Sequence, residues 1–449
     1  IEGFGGMHVR FVQSRVLLPV VCGTVFKFTD CTIFTSRLAS VGLAVVGIAT
    51  LFLLMENWFG YKQAFGICLA VIVHPWFFRV SRRARPEIYY LALGVLLLLL
   101  LNHYFEKGFR RSCFFAGIVV GLSALTHPTG AVFAGCVGLS WIIWFRGRSL
   151  VRLFLWGGTG FVLTIVPYLI YLFFALKNPE VSFREQMQVE MLQQSMIFTE
   201  LRRWKNFFEF PRLVPLGILM FISWLVAWYD SSRKDKALAT VTALLPLALP
   251  LISVNHYPRY LSAIVPFSTA LIARLFFRLI ASVKPGREGF AKLQPVAAAA
   301  VLIIFFANCL WATGKFFYCL RGADFSRVIE KVAAVVEPDA LVFADPILWY
   351  GREKYNYGPY FISYEGRHFQ EIIKWFREHN FKYAVRTSWY LAPPLGSGKV
   401  PMKMPDFRQK VVHDQVCKMF GKKVASFEDP YYGAFEVYEL NMGKRVFIW

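Results

Sequence analysis

The feature that most constrains the fold of this chain is a series of apolar segments, each close to the length that crosses a lipid bilayer. A membrane-spanning helix needs about 20 mostly apolar residues. Ten segments approach that length, and an eleventh, 11–29, is less apolar and fits the membrane interface. We therefore predict a polytopic α-helical membrane protein with about 9–11 spans. The ten segments are residues 36–55, 64–79, 88–105, 112–126, 129–145, 153–175, 212–229, 237–254, 260–282 and 293–319.

The composition supports a membrane protein over a soluble one. Only 17% of the residues are charged, whereas about a quarter are charged in soluble domains. The net charge of +22 would point to a nucleic-acid partner in a soluble protein. In a chain that is 56% hydrophobic, it instead indicates cationic loops at a membrane. We expect a lipid bilayer and no nucleic acid as a partner.

The distribution of lysine and arginine predicts an orientation. If the residues before 36 lie outside, one set of loops lies inside and carries thirteen lysines and arginines. Short loops rich in these residues are typical of the cytoplasmic side. The last span then ends outside. The inside loops are residues 56–63, 106–111, 146–152, 230–236 and 283–292.

The composition changes after residue 320, where charged residues and turn signals become regular. Residues 339–345, 382–390, 422–429 and 434–440 have the pattern of strands, and 368–380 that of an amphipathic helix. This order predicts a small α/β domain of normal size. We therefore predict two domains, a transmembrane one over 1–320 and a soluble extracytoplasmic one over 321–449.

The segment R-V-S-R-R-A-R-P-E, residues 79–87, opposes the charge rule that the other loops obey. It lies outside by the orientation above, yet it contains Arg79, Arg82, Arg83 and Arg85. Guanidinium groups suit phosphate, because they offer a planar fork of donors. These arginines are candidates for binding the phosphate of a membrane-borne lipid. The alternatives are that they extend to lipid headgroups, or that the orientation is reversed.

Glu87 follows the arginines at the start of an apolar run. Ionisable residues at a membrane boundary are costly and often functional. A carboxylate beside arginines could act as a base or position an acceptor hydroxyl. Alternatively, Glu87 only stabilises the first turn of a helix that begins at Pro86.

Three further residues are candidates for binding an anionic or sugar-bearing lipid. His127, in G-L-S-A-L-T-H-P-T-G, follows an apolar segment and precedes a helix-breaking proline. When protonated, it could donate to phosphate oxygens, or it could be only a polar residue at a helix break. Arg259 lies with Tyr257 in N-H-Y-P-R-Y-L, where the tyrosine could line a lipid-sugar site or belong to an interfacial aromatic belt.

Several familiar chemistries lack their motifs in this sequence. It contains no P-loop, no G-x-S-x-G and no H-E-x-x-H. The eight cysteines form no C-x-x-C pair, so we expect neither a disulfide framework nor a zinc site. We expect no cofactor and no resident metal, although dependence on a divalent metal stays open.

Four motifs in this order resemble the GT-C superfamily of integral-membrane glycosyltransferases. They are S-R-L-A-S-V-G (36–42), P-W-F-F-R-V-S-R-R-A-R-P-E (75–87), G-L-S-A-L-T-H-P-T-G (121–130) and R-Y-L-S-A-I-V-P (259–266). The resemblance covers roughly residues 10–320. It is strongest to the branch that contains protein O-mannosyltransferases and the aminoarabinose transferases of lipid A.

The resemblance implies a fold and an activity. Such enzymes move a sugar from a polyprenyl-phosphate carrier to a glycan, lipid or protein acceptor at the outer membrane face, usually with inversion. Basic residues hold the phosphate, which is the leaving group, and a carboxylate in the first outer loop acts as base. Arg79–Arg85 and Arg259 become phosphate candidates, and Glu87 matches the family's second acidic position. The implied location is the prokaryotic cytoplasmic (inner) membrane.

This sequence departs from the family pattern at two places. The family's first span and the acid that follows it are not visible, so either the base lies upstream or Glu2 is its remnant. Many relatives have lysine where this chain has His127, which makes a constant positive charge there uncertain. Two other functions remain open: a transporter or flippase of lipid-linked sugars, and a non-catalytic membrane scaffold.

Overall fold

A computed structural model describes most of the chain as two compact units, and the boundary between them along the chain falls between Phe316 and Phe317. The described residues are 17–29, 33–82, 85–145, 150–175, 214–229, 232–248, 262–281, 293–320, 324–344, 348, 354–359, 369–387, 414–430 and 432–443.

The first unit is helical, which confirms the predicted fold class. Among the residues that the structure describes, five helices are long and apolar enough to cross a membrane, or six if one bent pair counts as a single span. Two shorter apolar helices cover Thr129–Trp144 and Val214–Tyr229. The helices are α1 Leu17–Phe28, α2 Ile33–Phe59, α3 Tyr61–Val73, α4 Pro75–Ser81, α5 Pro86–Lys107, α6 Arg110–Thr126, α7 Pro128–Trp144, α8 Leu150–Ala175, α9 Val214–Tyr229, α10 Arg233–Ala248, α11 Val265–Ala281 and α12 Leu293–Leu320.

The predicted span over 64–79 consists of two helices, because the chain breaks at His74. Helices α3 and α4 meet there at an angle of 70°. Pro75 has no N–H and cannot continue a helix. Backbone groups freed in a bilayer must find partners, and both ends of this break do. The His74 imidazole accepts a hydrogen bond from the Trp76 N–H (3.3 Å), and the Thr313 hydroxyl of α12 donates to the Val73 carbonyl (3.5 Å).

Helices α2 and α5 run in the same direction and pack closely. A methyl group placed on Gly47 would lie 3.2 Å from Cβ of Ala92. Further along both helices, Nε1 of Trp58 donates to Oδ1 of Asn102 at 2.9 Å. Because these contacts advance together along the two helices, the helices are parallel, and both of their N-termini lie at one end of the unit.

The opposite end of the unit is held by charged side chains. Asp235, the buried third residue of α10, accepts hydrogen bonds from Nε and Nη2 of Arg274, both at 3.2 Å, and pairs with Arg278. Arg274 also donates to Oε1 of Gln63 at 2.6 Å. Lys234 pairs with Glu106 at 3.7 Å. Three loops that the charge rule assigns to the inside of the membrane thus contribute residues to the same end of the unit. They are residues 56–63, 106–111 and 230–236.

Helices α6 and α8 approach through glycines. A methyl group on Gly117 would lie 1.8 Å from the carbonyl oxygen of Gly157, and one on Gly160 would lie 2.1 Å from that of Phe114. Small residues spaced by four positions, here Gly117 and Gly121, let helix backbones touch in a membrane. By contrast, a methyl group on Gly138 of α7 would meet nothing within 4 Å.

These glycines allow a test of the α6–α8 contact. We expect Gly117→Ala to lower the free energy of unfolding by about 1–3 kcal/mol, because backbone must move to admit the added methyl group. The matched control Gly138→Ala should leave stability unchanged or raise it by up to about 1 kcal/mol, since alanine favours helix. Thermal unfolding in detergent measures both. Equal effects of the two variants would contradict the packing described here.

The second unit contains a five-stranded sheet of order β2-β1-β3-β5-β4. Strand β1 pairs in parallel with β2 and β3, whereas β5 lies antiparallel between β3 and β4. Four strands and one helix confirm the predicted pattern, and helix α13 and strand β2 were not predicted. The elements are α13 Ser326–Ala333, β1 Leu341–Ala344, β2 Asn356–Pro359, α14 Phe369–Glu378, β3 Phe381–Thr387, β4 Gly421–Asp429 and β5 Gly433–Leu440.

A charged cluster ties the antiparallel part of this sheet to the helical segment that begins at residue 414. Arg386 of β3 pairs with Asp414 (2.6 Å) and with Glu436 of β5 (3.3 Å). Glu436 also accepts from Tyr438 (2.7 Å) and Lys423 (3.0 Å). Burial alone would raise the pKa of Glu436, but these hydrogen bonds and the charges of Lys423 and Arg386 outweigh burial and hold the pKa below its usual range.

The lowered pKa of Glu436 predicts an acid-sensitive sheet. A carboxyl whose pKa is lower in the folded state adds stability above its unfolded pKa, about 4.3 for glutamate, and loses it as the pH falls through the folded value. We expect β3 and β5 to lose hydrogen-exchange protection across that acidic range, after correction for intrinsic rates. The loss should be smaller in Glu436→Gln. If the two proteins lose protection identically, Glu436 does not carry the effect.

Candidate functional site

The turn between α4 and α5 concentrates positive charge. Arg79 lies in the last turn of α4, Arg82 is its C-terminal cap, and Arg85 is the N-terminal cap of α5. Pro86 at the first helical position fixes where α5 starts, because its backbone angle suits a helix and its missing N–H needs no partner there. The candidate Arg83 lies outside the described residues.

Two of these arginines lie over aromatic rings of α4. Cζ of Arg79 is 5.5 Å from the centre of the Trp76 ring, and Cζ of Arg82 is 4.9 Å from that of Phe78. A guanidinium over an aromatic face is attracted by the ring's negative π cloud. Both arginines are half-buried. The rings therefore favour guanidinium positions close to the protein over positions extended into the headgroup layer.

Glu87 is fully buried in the first turn of α5. Its Oε2 accepts a hydrogen bond from Nε of Arg85 at 3.2 Å, and the Arg85 side chain is 30% exposed. Removing a carboxylate from water costs several kcal/mol unless it is paired. The guanidinium and the positive end of the helix dipole offset part of this cost. Such a costly placement at the edge of a membrane unit marks a candidate functional carboxylate.

His127 separates α6 from α7 and caps the second of these helices. Its Nδ1 accepts a hydrogen bond from the Thr129 N–H at 3.1 Å. A ring nitrogen that accepts cannot carry a proton, so the proton of the neutral ring is on Nε2. His127 therefore caps α7 through Nδ1, and Nε2–H is the donor that its ring can still offer. A phosphate-binding role for His127 stays a prediction.

The packing of α5 against α7 brings these residues to one end of the unit. A methyl group on Gly130 would lie 3.1 Å from Cβ of Tyr90, and the rings of Tyr90 and Phe133 are 6.2 Å apart. Glu87 and His127 each lie one turn N-terminal to these contacts, in helices that run parallel. The structure thus places Arg85, Glu87 and His127 at the same end, opposite the Asp235 cluster.

The remaining predicted site residues, Glu2, Tyr257 and Arg259, lie outside the described residues. Among the residues that the structure describes, no group of three or more His, Cys, Asp or Glu side chains could hold a metal ion.

Sequence reasoning missed that the chain contains two helix caps of one kind. His74 and His127 each precede a proline, and each accepts from the N–H two residues ahead. The repeated His-Pro dipeptide was the signal that could have revealed both. Since the two histidines share one structural role, each is a natural control for the other.

The sequence matches a family model over part of its length. Residues 17–171, about a third of the chain, match the model of the dolichyl-phosphate-mannose-protein mannosyltransferases. A search of curated protein sequences finds no match.

Solved structures match over nearly the whole chain. ArnT from Cupriavidus metallidurans in the apo state aligns with a TM-score of 0.60 and 13% identity, over 95% of this chain and 87% of its own. The same protein bound to undecaprenyl phosphate gives 0.60 and 12%, over 95% and 88%. An oligosaccharyltransferase from Archaeoglobus fulgidus gives 0.46 and 12%, over 96% and 66%. At these identities, the similarity to ArnT is one of fold.

Proposed function

From the GT-C glycosyltransferase fold, which confirms the resemblance seen in the sequence motifs, we propose that this protein is a membrane glycosyltransferase. It moves a hexose or pentose from a polyprenyl-phosphate carrier to a glycan, lipid or protein acceptor, with inversion at the sugar. The observation that carries the proposal is the pairing of the buried Glu87 with the half-buried Arg85, in a turn rich in arginine and at the same end as His127. ArnT bound to undecaprenyl phosphate supports the class of carrier.

The carrier's chemistry requires the features found in the α4–α5 turn. A polyprenyl tail is soluble in the bilayer, so its phosphate meets the protein at the interface. The phosphate is the leaving group, and preorganised donors that stabilise developing charge are usually the largest catalytic contribution. We assign this role to Arg79, Arg82 and Arg85, and also to Arg83, Tyr257 and Arg259. Nε2–H of His127 is a further donor.

Glu87 serves the acceptor. The acceptor hydroxyl oxygen forms a bond to the anomeric carbon as the bond from that carbon to the phosphate oxygen breaks. The electron pair of the broken bond leaves with the phosphate, and the hydroxyl proton goes to a carboxylate. Glu87 is our candidate for this base. If Glu2 or an upstream acid takes the proton, Glu87 positions the hydroxyl instead.

We place the reaction at the outer face of a prokaryotic cytoplasmic membrane, with the unit after Phe316 extracytoplasmic. The charge rule supports this orientation, because it assigns the ends of α3, α5 and α10 that meet at Asp235 to the cytoplasm. The α4–α5 turn and His127 then face outward, where the acceptor is found. Accessibility labelling of a cysteine introduced at Arg82 in intact cells tests this assignment.

Transfer in detergent separates this proposal from a flippase or a scaffold. Purified protein, given a polyprenyl-phosphate sugar and a panel of acceptors, should release free polyprenyl phosphate. A flippase leaves the donor intact when no bilayer separates two compartments, and a scaffold leaves it intact in all conditions. The flippase is not favoured, because ArnT and the matched family point to transfer.

Glu87→Gln should abolish transfer while the protein still folds. The amide keeps the shape of the side chain but cannot accept the proton, and general-base catalysis contributes about 10²–10⁴-fold. We expect turnover to fall at least about 100-fold. The matched control is Glu106→Gln, at the other end of the same helix, where the side chain bonds Asn102 (3.1 Å). It should retain turnover, and an equal loss in both variants would remove Glu87 from the mechanism.

Comparing His127→Asn with His74→Asn separates a catalytic role of His127 from its role as a helix cap. Asparagine is itself a good helix cap, so His127→Asn and His74→Asn should both fold. We expect His127→Asn to lower turnover at least about tenfold, because the Nε2–H donor is lost, whereas His74→Asn should retain it. Initial rates of polyprenyl-phosphate release, with unfolding midpoints as the folding check, decide the matter. Full activity in both variants would leave His127 with capping alone.

A further inference from the structure

Arg85 uses only one edge of its guanidinium group. Nε donates to Oε2 of Glu87 at 3.2 Å. Among the residues that the structure describes, Nη1 and Nη2 of Arg85 have no hydrogen-bond or ion-pair partner. The side chain is 30% exposed, while Glu87 is fully buried. Within the described residues, Nη1 and Nη2 thus remain as donors beyond the one that Glu87 uses, and we call them the open side of the pair.

The open side has the form that an oxyanion needs. A guanidinium is planar and carries five N–H donors, of which four are on Nη1 and Nη2. Two parallel N–H groups on its edge bind phosphate in a bidentate manner. The α5 N-terminus, which Arg85 caps, adds the positive end of a helix dipole. A lysine at this position would offer a single nitrogen and could not serve two anions on opposite edges.

We propose that Arg85 bridges the two reacting ends of the transfer reaction, holding the Glu87 carboxylate through Nε and the carrier phosphate through Nη1 and Nη2. This inference rests on the proposed function. It goes beyond phosphate binding, because it makes one guanidinium the shared counter-charge of the base and the leaving group.

The bridge has a consequence for the chemical step. As the bond between the anomeric carbon and the phosphate oxygen breaks, negative charge grows on the phosphate. At the same time the carboxylate takes the acceptor proton and loses its charge. The guanidinium therefore contacts a phosphate that gains negative charge and a carboxylate that loses it. Its positive charge is opposed by about the same negative charge before and after the transfer. Because no side chain has to move, the stabilisation is preorganised.

Arg85→Lys separates the two functions of the residue. We expect it to lower kcat at least about tenfold at saturating donor. It should also weaken binding of a long-chain polyprenyl phosphate, measured without sugar in detergent, at least about threefold. The control is Arg110→Lys, at the exposed first residue of α6, which has no part in the proposed site. It should leave both kcat and binding unchanged. Unfolding midpoints confirm that all three proteins fold.

A double-mutant cycle tests the bridge without any turnover. We expect the effect of Glu87→Gln on the Kd for polyprenyl phosphate to differ at least about threefold between the wild-type and Arg85→Gln backgrounds. Coupling of this size is expected where one guanidinium contacts both groups. This measurement stands even if the protein proves inactive with every donor, in which case the proposed function fails and the bridge does not.

Three results would overturn the bridge. A loss of kcat alone in Arg85→Lys would make Arg85 only a positioning residue for Glu87. A loss of binding alone would make it only a phosphate ligand. Additive effects in the double-mutant cycle would show that the carboxylate and the phosphate do not share Arg85.

Discussion

The burial of one carboxylate at the edge of a membrane unit is the constraint on which the rest of the site depends. Glu87 is withdrawn from water, and its described ion-pair partner, Arg85, lies two residues earlier in the chain. An uncompensated charge at such a position would cost several kcal/mol. Two nearby interactions offset this cost: the guanidinium of Arg85 at the N-cap position, and the positive end of the α5 helix dipole. This pairing favours the charged form of the side chain, and the proposed chemistry needs a charged carboxylate.

A second constraint, the satisfaction of backbone groups in an apolar medium, explains why histidine precedes proline twice. Proline stops a helix, and the next helix then begins with N–H groups that lack helical partners. At both breaks an imidazole nitrogen accepts from one of these N–H groups. The break at His127 leaves a ring N–H at the end of the unit that carries Glu87, whereas His74 packs against the Phe305 ring. The same histidine cap therefore lies in two different environments at the two breaks.

The sequence revealed the helices and the arginine turn because both leave local signals. Apolar runs predict helices, and Arg79, Arg82 and Arg85 stand in one short segment beside Glu87. What it could not reveal depends on contacts across helices. The break at His74 lies inside a continuous apolar run, so composition alone reads the run as one span. The position of His127 at the same end as Glu87 depends on glycine contacts such as Gly130 against Tyr90, which no periodicity predicts.

The two polar ends of the helical unit differ in a way that bears on function. At Asp235 the carboxylate is fully engaged, because Arg274 and Arg278 both bind it and Gln63 takes a further donor of Arg274. Such a closed network fixes helices α3, α10 and α11 in register and has little capacity left for a ligand. At Glu87, within the part of the chain that the structure describes, Nη1 and Nη2 of the pairing guanidinium have no partner. The Asp235 cluster holds the helices in place. The Nη1 and Nη2 donors of Arg85 are therefore not needed to hold the turn and can bind an anion. We take this asymmetry, one end closed and the other open, as the physical basis for assigning the chemistry to the end that carries Glu87.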